Sequence, residues 1–282
     1  MERYYFLFVL VILYGLFALI QDLRKREVAN WLNFSLIAFA LVYRAFYAIV
    51  NKDMGFFLYG LFGALILFAV GLIFYYSNAF GGGDVKLLAG IGAVLPYENL
   101  LDLGLVSIEF LVILLFVGAI YTIIYSIFLA VKNRKIFVKE FNQLKVKYKK
   151  KLMIVWGISV IFGILAYYPL GFLGLWLTVF GIFISLLYVY LKALDKCMII
   201  KLKPGMLTEG DWITEDIKIG RYVIKKTVHG LTEKDIEIIR KAGKDIYVKS
   251  GIPFVPAVFI ALLIMGYVYL VLKLNLLFLL VP

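Results

Sequence analysis

Val85-Lys86-Leu87-Leu88-Ala89-Gly90-Ile91-Gly92-Ala93-Val94-Leu95-Pro96 is the stretch on which the topology of this chain turns. A helix rises 1.5 Å per residue and a bilayer core of about 30 Å needs roughly 20 apolar residues, so this run is short for a span. With the glycines that precede it, it can cross if neighbouring helices shelter it. Around it lie clearer candidates: 4–20, 31–50, 56–76, 103–131, 152–168, 171–191 and 253–272, with apolar residues continuing to Val281. Charge decides whether 85–96 joins them. Arg24, Lys25 and Arg26 follow the first span, Lys86 follows the third, nine Lys/Arg lie in 132–151 and thirteen in 192–252. If 85–96 crosses, 26 basic residues share one side and only Arg3, Lys52 and Lys273 face the other. If it does not, 132–151 changes side and the asymmetry is lost. Because Lys and Arg are kept on the cytoplasmic side, the count predicts eight helices with both termini external.

Composition agrees. The chain has 282 residues, of which 64% are hydrophobic, with a mean hydropathy of +0.97. Soluble domains are about 45–50% apolar. The predicted fold class is therefore an all-α polytopic protein of the cell membrane, with a small α+β cytoplasmic insertion. A net charge of +12 would suit nucleic acid, but the basic residues gather between spans and no stacking platform or recognisable module accompanies them. The bilayer is the expected partner and nucleic acid is not. Cys197 is the only cysteine, which excludes a disulfide framework and a Cys-x-x-Cys metal knuckle. Tyr4 to Ile20 lacks a basic leader and a small-residue cleavage site, so it reads as a retained span.

Five regions follow. Residues 1–131 carry helices 1–5 and the candidate site. Residues 132–151 read as a basic cytoplasmic loop that pins topology and touches anionic headgroups, and 152–191 as a transmembrane hairpin. Residues 192–252 form a small soluble domain that caps the cytoplasmic face, and 253–282 the last helix. In the soluble piece Met198–Leu202, Arg221–Lys226 and Ile246–Lys249 read as strands. A helix is expected from Glu233 to Ala242, with Thr232 as N-cap, Asp235 three residues on and Gly243 as the stop.

Two acids stand out. Asp22 closes the first span, just ahead of Arg24-Lys25-Arg26, and Asp84 follows Phe80-Gly81-Gly82-Gly83. A carboxylate at the mouth of an apolar helix is costly to keep charged and marks a candidate functional site. The three glycines permit unusual backbone angles and close approach of another chain. A phosphate-cradling loop would need a Gly-Lys-Ser/Thr ending, which is absent. Counted along their helices, both acids reach the same, cytoplasmic, level. Lys86, about 200° round the helix from Asp84, should point away and snorkel to the cytoplasm. Asn30, at the start of helix 2, reads equally as an N-cap or as a contact to substrate backbone. Arg44 and Glu109 have matching depths and read either as an ion pair or as separate snorkelling charges. His229 reads as a surface residue of the insertion. Gly15, Gly60, Gly63, Gly71, Gly90 and Gly92 read as close-packing positions.

Gly81-Gly82-Gly83-Asp84 fits the GxGD signature of intramembrane aspartic proteases, and the continuation Val85-Lys86-Leu87-Leu88 resembles the type IV prepilin peptidase branch. Asp22-Leu23-Arg24-Lys25-Arg26-Glu27-Val28-Ala29-Asn30 resembles that branch's first motif, with Ala29 in place of the usual proline. The resemblance covers the first 100 residues well and touches Gly251-Ile252-Pro253-Phe254-Val255-Pro256, which is similar to the start of the last helix in archaeal members. It implies Asp22 and Asp84 as catalytic residues, with Gly81, Gly82, Gly83, Lys86 and Asn30 near the substrate. It also implies a membrane-anchored pilin or archaellin precursor as substrate, cut behind its short basic leader, and neither metal nor cofactor. The zinc knuckle and methyl-donor site of bacterial relatives have no counterpart, so the chain resembles the archaeal, peptidase-only form. Two close carboxylates in a poorly hydrated site cannot both ionise easily. One could activate water while the other polarises the scissile carbonyl.

Other classes remain to be weighed against this. A proton- or cation-coupled transporter could use the same acids, but would put them nearer the midplane and show repeat symmetry between halves. A presenilin-like protease would carry Tyr before the first acid, where this chain has Gln21. A purely structural membrane subunit leaves the glycine-flanked acid unexplained.

Overall fold

The computed structural model describes residues 2–77, 80–227 and 230–272, so His229 and the apolar run to Val281 lie outside the described residues. The chain divides into two compact units, residues 1–123 with 252–282, and residues 124–251. Among the described residues seven helices are long and apolar enough to cross a membrane. With the short helix over 82–94, this matches the expected eight.

The first unit contains α1 (Glu2–Lys25), α2 (Asn30–Asn51), α3 (Met54–Tyr76), α4 (Gly82–Val94), the first part of α5 (Leu100–Lys132) and α10 (Val255–Gly266). The last continues as a π-type helix over Tyr267–Leu272. α1 runs five residues past the expected end at Ile20. Gln21-Asp22-Leu23-Arg24-Lys25 contains no helix breaker, and its basic last turn complements the negative end of the helix. The helix stops where Arg26 takes a left-handed φ of 60° and its N–H closes on the Asp22 carbonyl at 2.9 Å. α2 turns sharply into α3: Lys52 is left-handed with φ 57°, and the Asp53 carboxylate caps α3 by accepting from the Phe56 N–H at 3.2 Å.

α4 is buried along nearly its whole length and packs on α3. Its thirteen residues rise only about 20 Å. The buried Leu95–Tyr97 segment carries the chain on to Glu98, which pairs with Arg3; Arg3 also holds Asp53 at 2.8 Å. These three charges mark one end of the bundle. The α3–α4 contact depends on two glycines. A methyl at Gly92 would sit 2.3 Å from the Gly63 carbonyl oxygen, and one at Gly63 would sit 2.6 Å from that of Gly92. Backbone cannot yield as a side chain can. Gly92→Ala is therefore expected to cost at least about 1–3 kcal/mol, while Gly104→Ala, with nothing within 4 Å of its added methyl, should be tolerated. Thermal denaturation of the two variants in detergent checks the contrast, and equal midpoints would remove the close-packing argument.

Of the two readings of Arg44 and Glu109, an ion pair or separate snorkelling charges, the structure adopts neither. Arg44 is wholly buried and spends its donors on carbonyls: Nε on Ala93 at 2.7 Å, Nη1 on Phe56 at 2.7 Å, and Nη2 on Leu95 at 2.6 Å and Val94 at 3.3 Å. Glu109 accepts from the Tyr269 hydroxyl at 2.9 Å. At the end of α4 the helix has no next turn to satisfy its last carbonyls, although the Leu95 carbonyl also accepts from the Tyr97 N–H at 3.1 Å, and a buried fork of five N–H donors answers that need.

In the second unit, residues 132–151, expected as a loop, are mostly helical: α6 covers Arg134–Lys147. The segment has no Gly or Pro and nine of its twenty residues are Lys or Arg, which are good helix formers, so charge alone does not make it irregular. α6 packs on α8 (Phe172–Cys197) through Phe137 against Tyr190, with ring centroids 5.4 Å apart. α7 (Lys149–Leu170) and α8 form the expected hairpin. Gly163, Gly174 and Gly181 let the two helices approach closely, and Trp156 Nε1 donates to Ser185 Oγ at 2.8 Å.

The small α+β part has an antiparallel sheet in the order β1 (Ile199–Leu202), β5 (Ile246–Lys249), β2 (Trp212–Ile213), and a separate hairpin of β3 (Ile217–Ile219) and β4 (Tyr222–Ile224) turning at Gly220. α9 spans Glu233–Ala242 as expected. Thr232 Oγ1 accepts from the Asp235 N–H, the Asp235 side chain accepts from the Thr232 N–H, and Gly243 ends the helix at φ 62°. β2 and β3 were not foreseen, because two and three residues carry too little alternation to read.

Candidate active site

Both acids sit at the end of the first unit away from Arg3. Asp22 lies nineteen residues along α1 from Arg3, about 28 Å at the helical rise. Asp84 lies in the first turn of α4, whose far end leads to Glu98. They are near enough for the charge of Asp22 to act on Asp84.

Asp22 is buried, at 6% exposure. Its Oδ2 accepts from the backbone N–H of Val255 at 3.0 Å. Val255 is the first residue of α10, where N–H groups have no partner within the helix and the dipole favours negative charge. Arg26 also acts on Asp22 through its charge. An acid from residue 22 is thus held by the start of a helix more than two hundred residues later.

Asp84 is half-buried, and its Oδ2 accepts from the Gly81 N–H at 2.9 Å. The carboxylate reaches back to its own N-cap, as the third residue of a helix often does. Of the three glycines, none is left-handed. Their use here is closeness: a methyl on Gly83 would sit 3.3 Å from the Val28 carbonyl oxygen and 3.4 Å from its nitrogen. The connection between α1 and α2 can therefore lie against the turn that bears Asp84. Gln21 Oε1 secures this connection by accepting from the Ala29 N–H at 2.9 Å. Gly81 and Gly82 are exposed.

Aromatic rings adjoin both acids. Phe80 immediately precedes Gly81, and Phe254 immediately precedes Val255; their ring centroids are 4.8 Å apart. Phe80 also stacks on Phe74 at 4.8 Å. Each backbone donor to an acid is thus next in sequence to a ring of one apolar cluster.

Lys86 does reach toward the Asp22 end, as a snorkelling side chain would, but it docks there. Its Nζ donates to Asn30 Oδ1 at 2.6 Å and lies 5.5 Å from the Phe34 ring centroid. Asn30 is not an N-cap: Ala29 takes that position without a side-chain bond, and Asn30 is the first helical residue of α2. One turn on, Asn33 Nδ2 donates to the Gly83 carbonyl at 3.1 Å. Asn33 carries no motif in the sequence, and Phe80, Phe254, Val255 and Gln21 stand in or beside quoted motifs without any sign of a contact to the acids or the turn. Each acts through a backbone group or an ordinary apolar or amide side chain, whose partner only packing decides. Among the described residues no three His, Cys, Asp or Glu side chains converge to hold a metal.

A glycine-flanked acid and an acid at the end of α1, meeting at one end of one bundle, is the arrangement against which relatives can be compared. Residues 7–131 match the type IV leader peptidase family. The matched segment contains both acids, Asn30, Asn33 and Lys86. A preflagellin peptidase of Methanocaldococcus jannaschii is 33% identical over 85 residues, 30% of this chain and 36% of that protein. A preflagellin peptidase of Methanococcus maripaludis is 32% identical over 79 residues, 28% and 34% of the two chains. Prepilin peptidase EppA of Methanothermobacter thermautotrophicus is 30% identical over 95 residues, 34% of this chain and 24% of that protein. The matched regions span only about a third or less of these relatives. No solved structure matches the chain.

If Lys86 steadies the turn that bears Asp84, Lys86→Met should lower activity about three- to tenfold, the equivalent of one charge-assisted hydrogen bond at a partly exposed site. Pairing it with Asn30→Ala in a double-mutant cycle tests the contact. Fully additive losses would mean that the two residues do not act together.

Proposed function

We propose that this protein is a membrane aspartic endopeptidase that removes the short basic leader from type IV pilin-like precursors, prepilin or preflagellin. Asp22 and Asp84 are the catalytic pair. The observation that carries the reading is their meeting at one end of the first unit, each held by a backbone N–H and flanked by the Phe80–Phe254 cluster. The similarity of residues 7–131 to leader peptidases supports the same reaction. Arg24, Lys25, Arg26 and Lys86 near the acids, against Arg3 and Lys52 at the other end of the first unit, support a cytoplasmic site, as a substrate with a cytoplasmic leader and a membrane-spanning helix requires.

In this mechanism one carboxylate is ionised and takes a proton from water as the oxygen attacks the scissile carbonyl carbon. The other is protonated and donates a hydrogen bond to the carbonyl oxygen. Collapse of the tetrahedral intermediate breaks the C–N bond, and a carboxyl proton passes to the departing amine. The pair shares its proton and titrates as one unit. The aromatic cluster and the surrounding helices limit water at the rim, which strengthens every interaction there.

The test is direct. Purified protein in detergent or nanodiscs is mixed with an archaellin or pilin precursor, and leader loss is followed by mass. Cleavage behind the basic leader is the expected result. Acid-dependent ion flux with no cleavage would replace the peptidase reading with a transporter.

A further inference from the structure

Asn33 is completely buried on α2, one turn after Asn30. Its amide orientation follows from its surroundings: Nδ2 faces the Gly83 carbonyl, where the opposite orientation would set two acceptors against each other. Oδ1 is left as a buried side-chain acceptor without a donor among the described residues, and it is the one such atom there. Buried polar atoms are nearly always satisfied, and those that are not call for a specific cause. A tie to Gly83 alone would use half of the amide and leave the other half a standing loss.

The position gives that atom meaning. Asn30 and Asn33 lie three apart on one helix face. Asn30 holds Lys86 and Asn33 holds Gly83, so α2 grips α4 on both sides of Asp84. We propose that Asn33 is a positioning residue for Asp84, and that its Oδ1 anchors an internal water molecule in the seam between α2 and α4. The positioning half rests on the peptidase reading; the water site does not. Water is the small donor that suits an acceptor sealed from bulk solvent and otherwise without a partner among the described residues. A substrate amide would reach Oδ1 only if the two helices parted.

The experiment has two arms. An experimental structure of the wild-type chain without substrate, at a resolution that shows ordered solvent, should reveal a water within hydrogen-bond distance of Asn33 Oδ1. A dry Oδ1, an Oδ1 bonded to a protein donor, or one satisfied only when precursor is bound would overturn the proposal. In the second arm Asn33→Leu removes both amide contacts at similar volume. Misplacing Asp84 should lower kcat by about ten- to a hundredfold, with KM within about twofold and an altered rate–pH profile. A lower thermal midpoint with kcat and pH profile unchanged would reduce Asn33 to a packing residue and sink the positioning role. If the variant does not fold, the wild-type water still decides the site. Were wild type to bind that water yet cleave no precursor, the peptidase reading would fall and the water site would stand.

Discussion

Asp22→Asn and Asp84→Asn are each expected to lower the rate of leader removal by about a thousandfold or more, with insertion and folding retained. General acid–base groups contribute about 10²–10⁴-fold each, and in the proposed mechanism the two share one proton and work as one unit, so losing either would remove most of what both supply. The substitutions suit the test because asparagine preserves the structural contacts. An amide oxygen at position 22 still accepts from the Val255 N–H, and one at 84 still accepts from Gly81. What is lost is the shared proton and the charge. Wild type should show a bell-shaped dependence of kcat/KM on pH, with one limb for each protonation state of the pair, and any residual activity in the variants should lose that shape. Single-turnover cleavage together with thermal denaturation reads both parts. A variant that cleaves within tenfold of wild type would remove that acid from the mechanism, and one that fails to insert would assign it a structural task.

Arg44→Met is expected to destabilise the first unit by about 3–5 kcal/mol, because several buried carbonyls lose a charged donor at about 1–3 kcal/mol each. The carbonyls of Ala93, Val94 and Leu95 near the end of α4 and of Phe56 on α3 each lose an Arg44 donor, with Leu95 keeping the Tyr97 N–H at 3.1 Å. They belong to the backbone, so no side-chain substitution can make them apolar. Arg44 also stacks over Phe56, with Cζ 4.6 Å from the ring centroid, and lies near Tyr4 at 5.6 Å. Lysine restores a charge but not the planar fork, so Arg44→Lys should recover only a small part of the loss. The space is made by Gly60, where a methyl would sit 2.2 Å from Arg44 Cδ, and Gly60→Ala should show the same defect. Because α4 carries Asp84 at its other end, activity should fall as the folded fraction falls. Thermal denaturation and detergent-stable yield measure this. Arg44→Met with a wild-type midpoint would mean that the carbonyls find other donors.

Most of the helices could be read from composition, because a span must be long and apolar. The short α4 was legible only through the charges on the loops around it. α9 was legible to the residue, since Thr232, Asp235 and Gly243 each form a local contact. The reading failed where the deciding partner is remote. Asp22 stood out as a candidate acid, but nothing near it in sequence points to Val255 as its partner. Lys86 looked like a snorkelling charge, and its docking on Asn30 depends on how α2 packs on α4. Arg44 and Glu109 matched in depth, but depth does not say which carbonyls or hydroxyls lie closer. The basic stretch 132–151 was read from charge when its helix propensity was the better guide.

The order of the chain by itself determined a multi-span helical protein with a mixed α+β insertion, and it marked two acids at a common level. It could do so because bilayer thickness, helix rise and charge retention are properties of segments taken singly. Only the tertiary structure decided that α10 holds Asp22, that α2 grips the Asp84 turn from both sides, and that a buried arginine closes the far end of α4. Apart from the Lys86–Asn30 bond, which joins two side chains, those are hydrogen bonds to backbone groups from distant segments, and a backbone amide is the same at every position until folding brings something to it.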